Sequence, residues 1–507
     1  MAFLALDIGS SDLKVAIYAT GGQCLSSVTT EVQGAVVNSG RAELDAELFW
    51  RSVCNGISQV CRPHRAPLLA ASISSQGESF LALDRNGNPL GNILLNIDSR
   101  AGAEMDAFSA SFGKSALYRQ TGLPPHPMYT LPKIAWLRNN QPQLFAQAAC
   151  FCCLEDYVYH RLGIEPAISS PLASRTMALD IHSNQWAPEL LAFAGITASK
   201  LSRVQPSGTP VGIAAPAIAF ELGLSPGMVW STGGHDQACA SLGAGAQQAG
   251  TVADGTGTFE CISAPSAEPL LSEAGLASNL PCERHAIAGQ FLTLAYGNGG
   301  IALKWLRDNC NLHHAAQAAA TGQSAYELML STVPDAPTGL FFFPYFLGTG
   351  TPWLESEARA SIHGLTSSTT HSDLVKAAIE GVCYEMRWNL EILESLGKPV
   401  RRILAMGGGA RSDVWLQLKA DIYQRSVVAV PGEASSRGAA ICAGMGVNAY
   451  SSWHEAIAAM VPAGRVFEPR PESQSQYSDL FAKYKELAHR LYGHSTSPQA
   501  PNSNQRS

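Results

Sequence analysis

A short turn that combines an acidic residue, a glycine and hydroxyl side chains occurs twice in the sequence. The first copy is Asp7-Ile-Gly-Ser-Ser11 and the second is Asp254-Gly-Thr-Gly-Thr258. If the two copies reflect an internal duplication, the chain folds into two similar lobes that face one cleft. The match is short, and chance similarity is the alternative.

The chain is long enough for two such lobes. Its 507 residues exceed the roughly 250–300 at which a single hydrophobic core stops growing. Hydrophobic residues make up 46% and charged residues 15%, a composition typical of a compact α/β protein. Near the C-terminus the sequence becomes rich in Ser, Pro, Asn and Gln, so we expect residues 493–507 to be a disordered tail.

Charge and cysteine usage exclude several kinds of partner. A net charge of -7 without any Lys/Arg-rich run provides no basic surface for nucleic acid or for an anionic membrane. The apolar segments are shorter than the ~20 residues that a membrane-spanning helix needs. The 12 cysteines lack metal-ligand spacing, so we interpret them as reduced thiols and expect a cytoplasmic protein.

Local patterns predict a mixed sheet near the N-terminus. Strands are expected at 2–8, 13–19 and 24–32, followed by a helix at 45–60 and a strand at 68–74. Much further along, Ser372 is predicted to cap a long helix. A strand at 402–406 then leads through Gly407-Gly-Gly409 into a helix at 412–423, an order that brings backbone close to a ligand.

The first acidic turn has the chemistry of a phosphate site. In Asp7-x-Gly9-Ser10-Ser11-x-x-Lys14, Gly9 permits close backbone approach, and two hydroxyls with successive N–H groups can face phosphate oxygens. Asp7 could hold Mg²⁺ through water. An ordinary hairpin with polar turn residues is the alternative.

A second acidic residue follows a short apolar strand. In Gly233-Gly-His-Asp-Gln237, the glycines leave room for a substrate beside Asp236, which places this carboxylate where a general base is needed. Phosphoryl transfer through a loose transition state requires only late proton acceptance and accurate orientation, so an aspartate is sufficient. We interpret His235 as a structural hydrogen-bonding residue.

A longer pattern in the C-terminal half identifies a family resemblance. Ala360-Ser-Ile-His-Gly-Leu365, then seven residues, then Asp373-Leu-x-x-Ala-Ala-Ile-Glu380 resembles the C-terminal pattern of the FGGY carbohydrate kinase family. The resemblance extends from Asp7 to Gly446, with the motifs in the family's order. It implies an α/β fold of two actin-like (ribonuclease-H-like) ATPase lobes, at about residues 1–244 and 245–492, with the active site in the cleft between them. It also implies an enzyme that uses ATP and Mg²⁺ to phosphorylate a hydroxyl of a small sugar or polyol.

The resemblance assigns roles to individual residues. Asp236 matches the catalytic base, and Gly297-Asn-Gly-Gly300 is a further candidate for the nucleotide side. Substrate contacts are expected from Gln76, Gly77, Glu78, Asp98, Arg100 and Gln237. Nucleotide contacts are expected from both acidic turns and from the glycine-rich strand end, namely Gly9, Ser10, Ser11, Lys14, Gly255, Thr256, Gly257, Thr258, Gly407, Gly408, Gly409, Ala410 and Ser412.

The loop at 76–78 leaves the acceptor open. Glycerol kinases carry Arg-Glu here, whereas this chain has Gly77 before Glu78, and the Met-His-Gly of xylulokinases is not reproduced. Glu78, Asp98 and Arg100 offer several partners for hydroxyl groups, so a five-carbon ketose such as xylulose is the first expectation. Glycerol, erythritol and gluconate are alternatives. Asp98 and Arg100 could also form an ion pair within their loop.

Other classes of function are weighed against a kinase. Actin-like folds include nucleotide-gated modules of the chaperone and filament kind, and a degenerate relative could bind sugar as a regulator without catalysis. The retained Asp236 and the intact turns argue against both. The oligomeric state is open, with a homodimer as one option, and no nucleic-acid or membrane partner is expected.

Overall fold

The computed structural model describes residues 1–32, 34–38 and 40–493. Short strands and helices alternate along its first half. The strands are β1 (Ala2–Ile8), β2 (Asp12–Ala19), β3 (Cys24–Glu31), β4 (Ala35–Asn38), β5 (Arg41–Leu44), β6 (Leu68–Ser75), β7 (Phe80–Leu83), β8 (Ile93–Leu94), β9 (Cys150–Cys153), β10 (Ala167–Ser169), β11 (Leu179–Asp180), β12 (Gln185–Trp186), β13 (Arg203–Gln205), β14 (Pro210–Ile213), β15 (Val229–Ser231) and β16 (Gly234–His235). The helices are α1 (Ala46–Cys61), α2 (Gly102–Phe112), α3 (Lys114–Thr121), α4 (Thr130–Asn140), α5 (Pro142–Gln147), α6 (Leu154–Arg161), α7 (Ser170–Ser174), α8 (Pro188–Ala194), α9 (Pro216–Leu222) and α10 (Asp236–Ala244).

The second half has longer helices. Its strands are β17 (Gly250–Thr256), β18 (Phe259–Ser266), β19 (Cys282–Arg284), β20 (Phe291–Asn298), β21 (Phe341–Phe343), β22 (Ser361–His363), β23 (Val400–Gly407), β24 (Ser426–Ala429) and β25 (Arg465–Phe467). Its helices are α11 (Glu273–Ala277), α12 (Ile301–Asn309), α13 (Leu312–Thr321), α14 (Ala325–Leu330), α15 (His371–Ser395), α16 (Asp413–Tyr423), α17 (Ala434–Gly446), α18 (Trp453–Met460) and α19 (Pro471–Tyr492). Apart from Gly493, the predicted tail lies outside the described residues.

Two large sheets repeat the same strand order. The first runs β3-β2-β1-β6-β15-β14. The second runs β20-β18-β17-β23-β24-β25, with β19 added at the β20 edge. In each, the first strand pairs antiparallel with the second and parallel with a later strand, as β1 does with β2 and β6, and β17 with β18 and β23. Asp7 and Asp254 lie in the corresponding strands β1 and β17. This duplicated sheet is the actin-like, ribonuclease-H-like arrangement that the family resemblance implies.

Helices α10 and α17 connect the two sheets, because α10, from the first half of the chain, packs on the second sheet and α17, from the second half, packs on the first sheet. Ala240 and Ala244 of α10 pack among residues of the second sheet such as Leu404. The small-residue helix α17 packs on the first sheet, with Ala439 in the same cluster as Phe3. The sites at the starts of these helices therefore lie near both halves of the chain.

Small residues allow the close contact between α10 and α17. A Cβ placed on Gly438 would lie 1.9 Å from the carbonyl oxygen of Cys239, and one placed on Gly243 would lie 2.0 Å from that of Ala434. Real Cβ atoms do not come this close to backbone, so both positions require glycine. Glycine at these two positions therefore allows α10 and α17 to pack tightly.

Predicted element boundaries agree with the structure to within a few residues, with one cap as a correction. Asp45 lies just before α1 and accepts a hydrogen bond from the Leu48 N–H at 2.7 Å. The predicted cap at Ser372 is wrong, because α15 begins at His371 and Thr370 is its N-cap. Thr370 and Asp373 form a capping box, in which the Asp373 N–H donates to the Thr370 hydroxyl and the Thr370 N–H donates to the Asp373 carboxylate.

The longest helix of the second half, α15, is largely buried, and α19 packs against it with one face. α15 buries residues along most of its length against the second sheet and α19, as the cluster of Val382, Tyr384, Tyr477 and Phe481 shows. Within the described residues, no helix combines the length and the apolar character that crossing a bilayer requires.

Candidate active site

Asp236 is the first residue of α10, directly after the short strand β16. Its Oδ1 lies 3.1 Å from His235 Nε2, and its side chain is 26% exposed. Burial raises the pKa of Asp236, and Glu78 and Glu283 raise it further, against the effect of His235. A helix N-terminus favours negative charge, so this position suits both a carboxylate and a transferred phosphoryl group.

His235 connects Asp236 to the second sheet. Its Nδ1 lies 2.9 Å from Oε1 of Glu283, which lies on β19 and is fully buried. Burial alone would lower the pKa of His235, but Glu283 and Asp236 outweigh it and raise that pKa. The hydrogen-bonding role predicted for His235 is therefore present, and its partner is a residue that the sequence did not single out.

Arg175 links the loop at 76–78 to the same cluster. Its Nε donates to Glu78 Oε1 at 2.7 Å, and its Nη1 lies 3.6 Å from Glu283 Oε2. Gly77 makes room for the aliphatic part of the Arg175 side chain, because an added Cβ would lie 3.1 Å from Arg175 Cβ and Cγ. We call Glu78, Arg175, His235, Asp236 and Glu283 the charged cluster.

Sequence reasoning missed two members of the charged cluster. Arg175 follows α7 in a segment of small and apolar residues, and Glu283 lies in the middle of β19, directly before Arg284. For Arg175 the isolated charge is the only local signal, since an unpaired charge is rarely buried. That signal does not reveal which partner neutralises the charge.

The first turn places Asp7 close to Asp236. Ser74 donates a hydrogen bond to Asp7 Oδ1 at 2.7 Å. Burial raises the pKa of Asp7 to about 7, and the nearby carboxylates of Asp236 and Glu433 add to the effect. Gly9 closes the turn by donating from its N–H to the Asp12 carbonyl at 2.9 Å. The turn therefore lies within electrostatic range of Asp236.

The other predicted residues of this region have protein partners. Ser10 donates to Gln76 Oε1 at 3.1 Å, and the Gln76 amide donates to the Gly9 carbonyl at 3.3 Å. Gln76 thus contacts the first turn, and its role as a substrate ligand stays a prediction. Ser11 is exposed beside this turn, and Gln237 follows Asp236 on α10 with its side chain partly exposed.

Lys14 bridges the two halves of the chain. Its Nζ lies 2.9 Å from Oε2 of Glu433, the residue before α17, and the two side chains are 19% and 44% exposed. Arg411 approaches the other oxygen of Glu433 at 3.4 Å. A carboxylate and two cations therefore meet where the first turn faces the glycine-rich strand end.

A cavity of about 400 Å³ lies beside the second turn. Most nucleotide-side predictions line it or adjoin it in the chain. Its walls include Thr256, Gly257, Thr258, Gly300, Lys304, Gly408, Gly409 and Ser412. Gly255, Gly407 and Ala410 are chain neighbours of these wall residues. Further walls, which no sequence pattern indicated, are Ile301, Leu303, Ser324, Tyr326, Glu327, Leu330, Arg411 and Trp415.

The second turn and the strand end β23 touch through glycine. Gly407 has φ of 82°, and an added Cβ would lie 2.6 Å from the Thr256 carbonyl oxygen. Ser412 caps α16 by accepting a hydrogen bond from the Trp415 N–H at 3.3 Å. Glycine at this strand end thus lets two backbone segments meet at the wall of the cavity.

A buried lysine, Lys419, donates hydrogen bonds to two residues of the second turn. Lys419 Nζ donates to Asp254 Oδ2 and to Thr256 Oγ1, both at 2.7 Å, and lies 2.9 Å from Glu260. Burial raises the pKa of Glu260 to about 8, and Asp254 adds to the shift against Lys419. Asp254, the counterpart of Asp7, is therefore committed to an internal ion pair.

Asp98 and Arg100 form the loop ion pair that the sequence left open. Arg100 Nη2 lies 2.7 Å from Asp98 Oδ2 and 2.7 Å from Glu43 Oε1. Asp98 also accepts from the Ala42 N–H at 2.7 Å, and Arg100 stacks on Trp136 at 5.0 Å. The charged groups of Asp98 and Arg100 therefore both have partners within the protein. The role of these two residues in substrate binding stays a prediction.

Fold and site together define the class of protein. Turns of the phosphate-binding type come from both sheets, a cavity of ligand size lies at one of them, and a carboxylate begins the helix between them. This arrangement defines a phosphotransferase of the actin-like ATPase class, in which the nucleotide and the acceptor meet between two lobes.

Comparison with family models then identifies the family. The N-terminal domain model of the FGGY family of carbohydrate kinases matches residues 2–243, and the C-terminal domain model matches residues 252–447. The chain therefore belongs to the FGGY family of carbohydrate kinases. Membership confirms the predicted fold class and the predicted enzyme class, a phosphotransferase with a sugar or alcohol acceptor and ATP as donor.

Similar proteins act on different acceptors. A gluconokinase of Bacillus subtilis (strain 168) is 28% identical over 494 residues, which are 96% of each chain. The crystal structure of gluconate kinase from Lactobacillus acidophilus has a TM-score of 0.86 at 25% identity, covering 97% of this chain and 98% of that one. The ligand-bound xylulose kinase from the same organism has a TM-score of 0.86 at 24% identity, with the same coverage. Similarity to known proteins therefore does not identify the acceptor of this kinase.

Proposed function

We propose that this kinase transfers the γ-phosphoryl group of ATP to a hydroxyl of a small neutral sugar or polyol, with a five-carbon ketose such as xylulose preferred. The observation that carries the proposal is the position of Asp236, at the first turn of α10 and within the charged cluster. The twelve cysteines of the protein are free. We therefore place the activity of this kinase in the cytoplasm, where thiols stay reduced.

Asp236 acts as the general base. The acceptor oxygen bonds to the γ-phosphorus while the bond to the β-phosphate oxygen breaks, ADP leaves, and the hydroxyl proton passes to the Asp236 carboxylate. Since burial raises the pKa of Asp236, the carboxylate is a stronger base than a solvated aspartate. N–H and hydroxyl groups of the two turns hold the phosphates in line.

The pairing of charges favours a neutral acceptor. Arg175 is paired with Glu78 and Glu283, and Arg100 with Asp98 and Glu43. Buried Lys133 donates to the Leu95 carbonyl at 2.8 Å. A sugar acid would have to draw one of these cations away from its partner, whereas hydroxyl groups can bind to carboxylates and guanidinium groups without separating charges.

Gluconate is the second candidate acceptor. The similarity to a gluconokinase of Bacillus subtilis supports it, and so does the gluconate kinase among similar structures. The carboxylate of gluconate would require a cation as its partner. Arg175, which donates a hydrogen bond to Glu78, is a candidate for that cation. The charged cluster would then have to rearrange on binding.

The residues present also fit Mg²⁺. Mg²⁺ bound with a nucleotide keeps several waters and takes one or two carboxylates together with phosphate oxygens. Asp7 provides such a carboxylate, and its pKa of about 7 means that a nearby cation would stabilise the ionised form. Across the described residues, no group of three or more His, Cys, Asp and Glu is arranged to hold a metal. We propose that Asp7 holds Mg²⁺ through water, where the ion would neutralise phosphate charge.

An acceptor screen tests the proposed substrate. ADP production by the purified protein is followed with ketopentoses, polyols and sugar acids, each at several concentrations. We expect the highest kcat/KM with a neutral ketose. A higher kcat/KM with gluconate than with every neutral acceptor would contradict the neutral-acceptor assignment and leave the kinase assignment intact.

Asp236→Asn tests the proposed base. The amide keeps the shape but cannot accept the proton, so we expect kcat with the best acceptor to fall by about 10²–10⁴-fold. ATP affinity, measured by calorimetry, should stay within about 2-fold because the cavity lies at the other turn. A kcat near that of the wild type would remove Asp236 from the proposed role.

A further inference from the structure

We propose that Glu283 and His235 are positioning residues for phosphoryl transfer. Glu283 holds the imidazole of His235, and His235 holds Oδ1 of Asp236, which leaves Oδ2 to receive the proton of the acceptor. The inference rests on the proposed role of Asp236. It adds that the base is oriented by a residue from the opposite sheet.

The geometry gives one ring nitrogen to each carboxylate. His235 Nδ1 lies 2.9 Å from Glu283 Oε1, and Nε2 lies 3.1 Å from Asp236 Oδ1. The imidazole is 7% exposed and Glu283 is fully buried, while 26% of the Asp236 side chain is exposed. Any rotation of the ring would break both contacts, so the two buried residues restrict the exposed one.

The Nδ1 contact with Glu283 is a hydrogen bond and the Nε2 contact with Asp236 is an ion-pair contact, and both are attractive only if the ring carries two protons. Ionised carboxylates accept but do not donate, so each nitrogen has to provide an N–H. Burial acts against the charged ring, but Glu283 and Asp236 together raise the pKa of His235. The protonated ring then attracts the Asp236 carboxylate through an ion pair, with 3.1 Å between Nε2 and Oδ1, where little water screens the two charges.

Other charged groups surround this pair. Arg175 opposes the proton on His235, while Glu78 adds negative charge next to Asp236. Arg175 also lies between Glu78 and Glu283, which balances two buried carboxylates with one guanidinium. Asp7 interacts with Asp236 from the first turn. The charge of His235 therefore depends mainly on its two direct partners.

The positioning residue Glu283 comes from a different part of the chain than the base. Glu283 lies on β19, at the edge of the second sheet, whereas β16, which carries His235 and directly precedes Asp236, pairs with β6 of the first sheet. The Arg284 N–H next to it donates to Ser174 Oγ of α7 at 3.2 Å, which anchors β19 to the first half. Asp236 is thus oriented only while these two parts stay in contact, which links catalysis to lobe closure.

The protonation of His235 can be measured without any acceptor substrate. The signals of the His235 ring are assigned as those that are present in the ¹⁵N-histidine spectrum of the wild type and absent from that of His235→Gln. The two ring-nitrogen signals are then followed in the wild type from about pH 5 to about pH 9. We expect both ring nitrogens to carry protons at neutral pH. In Glu283→Gln we expect the second proton to leave at a lower pH. A neutral His235 ring at neutral pH in the wild type would overturn the proposal.

Kinetics of Glu283→Gln test the consequence for catalysis. A misoriented base should lower kcat by about 10²-fold while KM for ATP stays unchanged. The loss of activity on the alkaline side should begin at a lower pH than in the wild type. Glu283→Asp, which keeps the charge on a shorter side chain, should retain an intermediate kcat. Glu357→Gln is the matched control, because that carboxylate is 90% exposed in a surface ion pair.

The outcomes separate the two hypotheses. A folded Glu283→Gln variant with the wild-type kcat and pH profile would overturn the positioning role. A wild type that phosphorylates no acceptor would instead overturn the proposed function. If Glu283→Gln does not fold, the same comparison is made with Glu283→Asp and His235→Gln, and wild-type kinetics in both would overturn the positioning role.

Discussion

Glu385 illustrates how a single buried carboxyl group makes stability depend on pH. It lies on α15 and accepts hydrogen bonds from Tyr345 at 2.8 Å and Tyr484 at 2.7 Å. Burial raises its pKa from 4.5 to about 7, and the two hydroxyls only partly oppose this. Below the unfolded pKa both states are protonated, so the stabilisation is complete. As pH rises towards about 7 the unfolded chain ionises first, and stability is lost.

Glu385→Gln should remove this pH dependence. The wild type is expected to lose up to about 3 kcal/mol of unfolding free energy between about pH 4.5 and about pH 7 through this group, and the variant should lose that much less. Urea unfolding of both proteins at about pH 5 and about pH 8 measures the difference. Glu391→Gln on the same helix is the control, since that side chain is 39% exposed. Equal pH dependence in wild type and Glu385→Gln would contradict the assignment.

At the scale of elements, the contact between α10 and α17 links the site to both sheets. Asp236 begins α10, Glu433 precedes α17, and the two helices touch through Gly243 and Gly438. Because the atoms opposite these glycines belong to backbone, neither helix can yield by a side-chain rotation. The orientation of Asp236 at the start of α10 therefore depends on this packing.

Gly438→Ala should destabilise the protein and lower activity together. Its Cβ would lie 1.9 Å from the Cys239 carbonyl oxygen, and such overpacking costs about 1–3 kcal/mol or more. Urea unfolding and kcat with the best acceptor measure the two effects. Gly102→Ala is the matched helical control, since nothing lies within 4 Å of its added Cβ. If Gly438→Ala were as stable and active as Gly102→Ala, the helix contact would not have the importance given to it here.

At the scale of the whole molecule, Lys14 and Glu433 connect the phosphate turn of one half to the other half. Lys14 lies on β2, and Glu433 lies at the start of α17, with 2.9 Å between Nζ and Oε2. A partly exposed ion pair contributes at most about 1 kcal/mol to stability. Its larger effect is to keep an ammonium group at the cleft, where phosphate oxygens can bind it.

Lys14→Met should weaken ATP binding more than it weakens the fold. Loss of a charge-assisted contact to phosphate is worth about 1.5–3 kcal/mol, so we expect roughly a 10-fold or greater rise in Kd for ATP with Mg²⁺. Calorimetry measures the affinity, and thermal unfolding should change little. Lys398→Met is the control, because Lys398 donates to the Glu268 carbonyl on the surface. An unchanged Kd in Lys14→Met would exclude Lys14 as a phosphate ligand.

Sequence patterns were sufficient where function depends on local backbone. The two acidic turns, the glycine-rich end of β23 and the strand before Asp236 could all be located from residue type and spacing. The reason is that close approach to a ligand requires glycine, and phosphate binding requires N–H and hydroxyl groups within a few residues. The Thr370 cap was missed because several hydroxyl residues, among them Thr369, Thr370 and Ser372, stand near one helix start, and the hydrogen bonds of Thr370 identify the cap.

By itself, the sequence thus determined the family, the fold class and the chain positions of the two acidic turns and of Asp236. Only the tertiary structure decided that Glu283 and Arg175 join His235 and Asp236, and that Asp98 pairs with Arg100. His235 and Glu283 are 48 residues apart in the chain, and Glu78 and Arg175 are 97 apart. No local pattern reveals such partners, because a buried charge specifies that it must be neutralised but not which distant residue the fold brings to it.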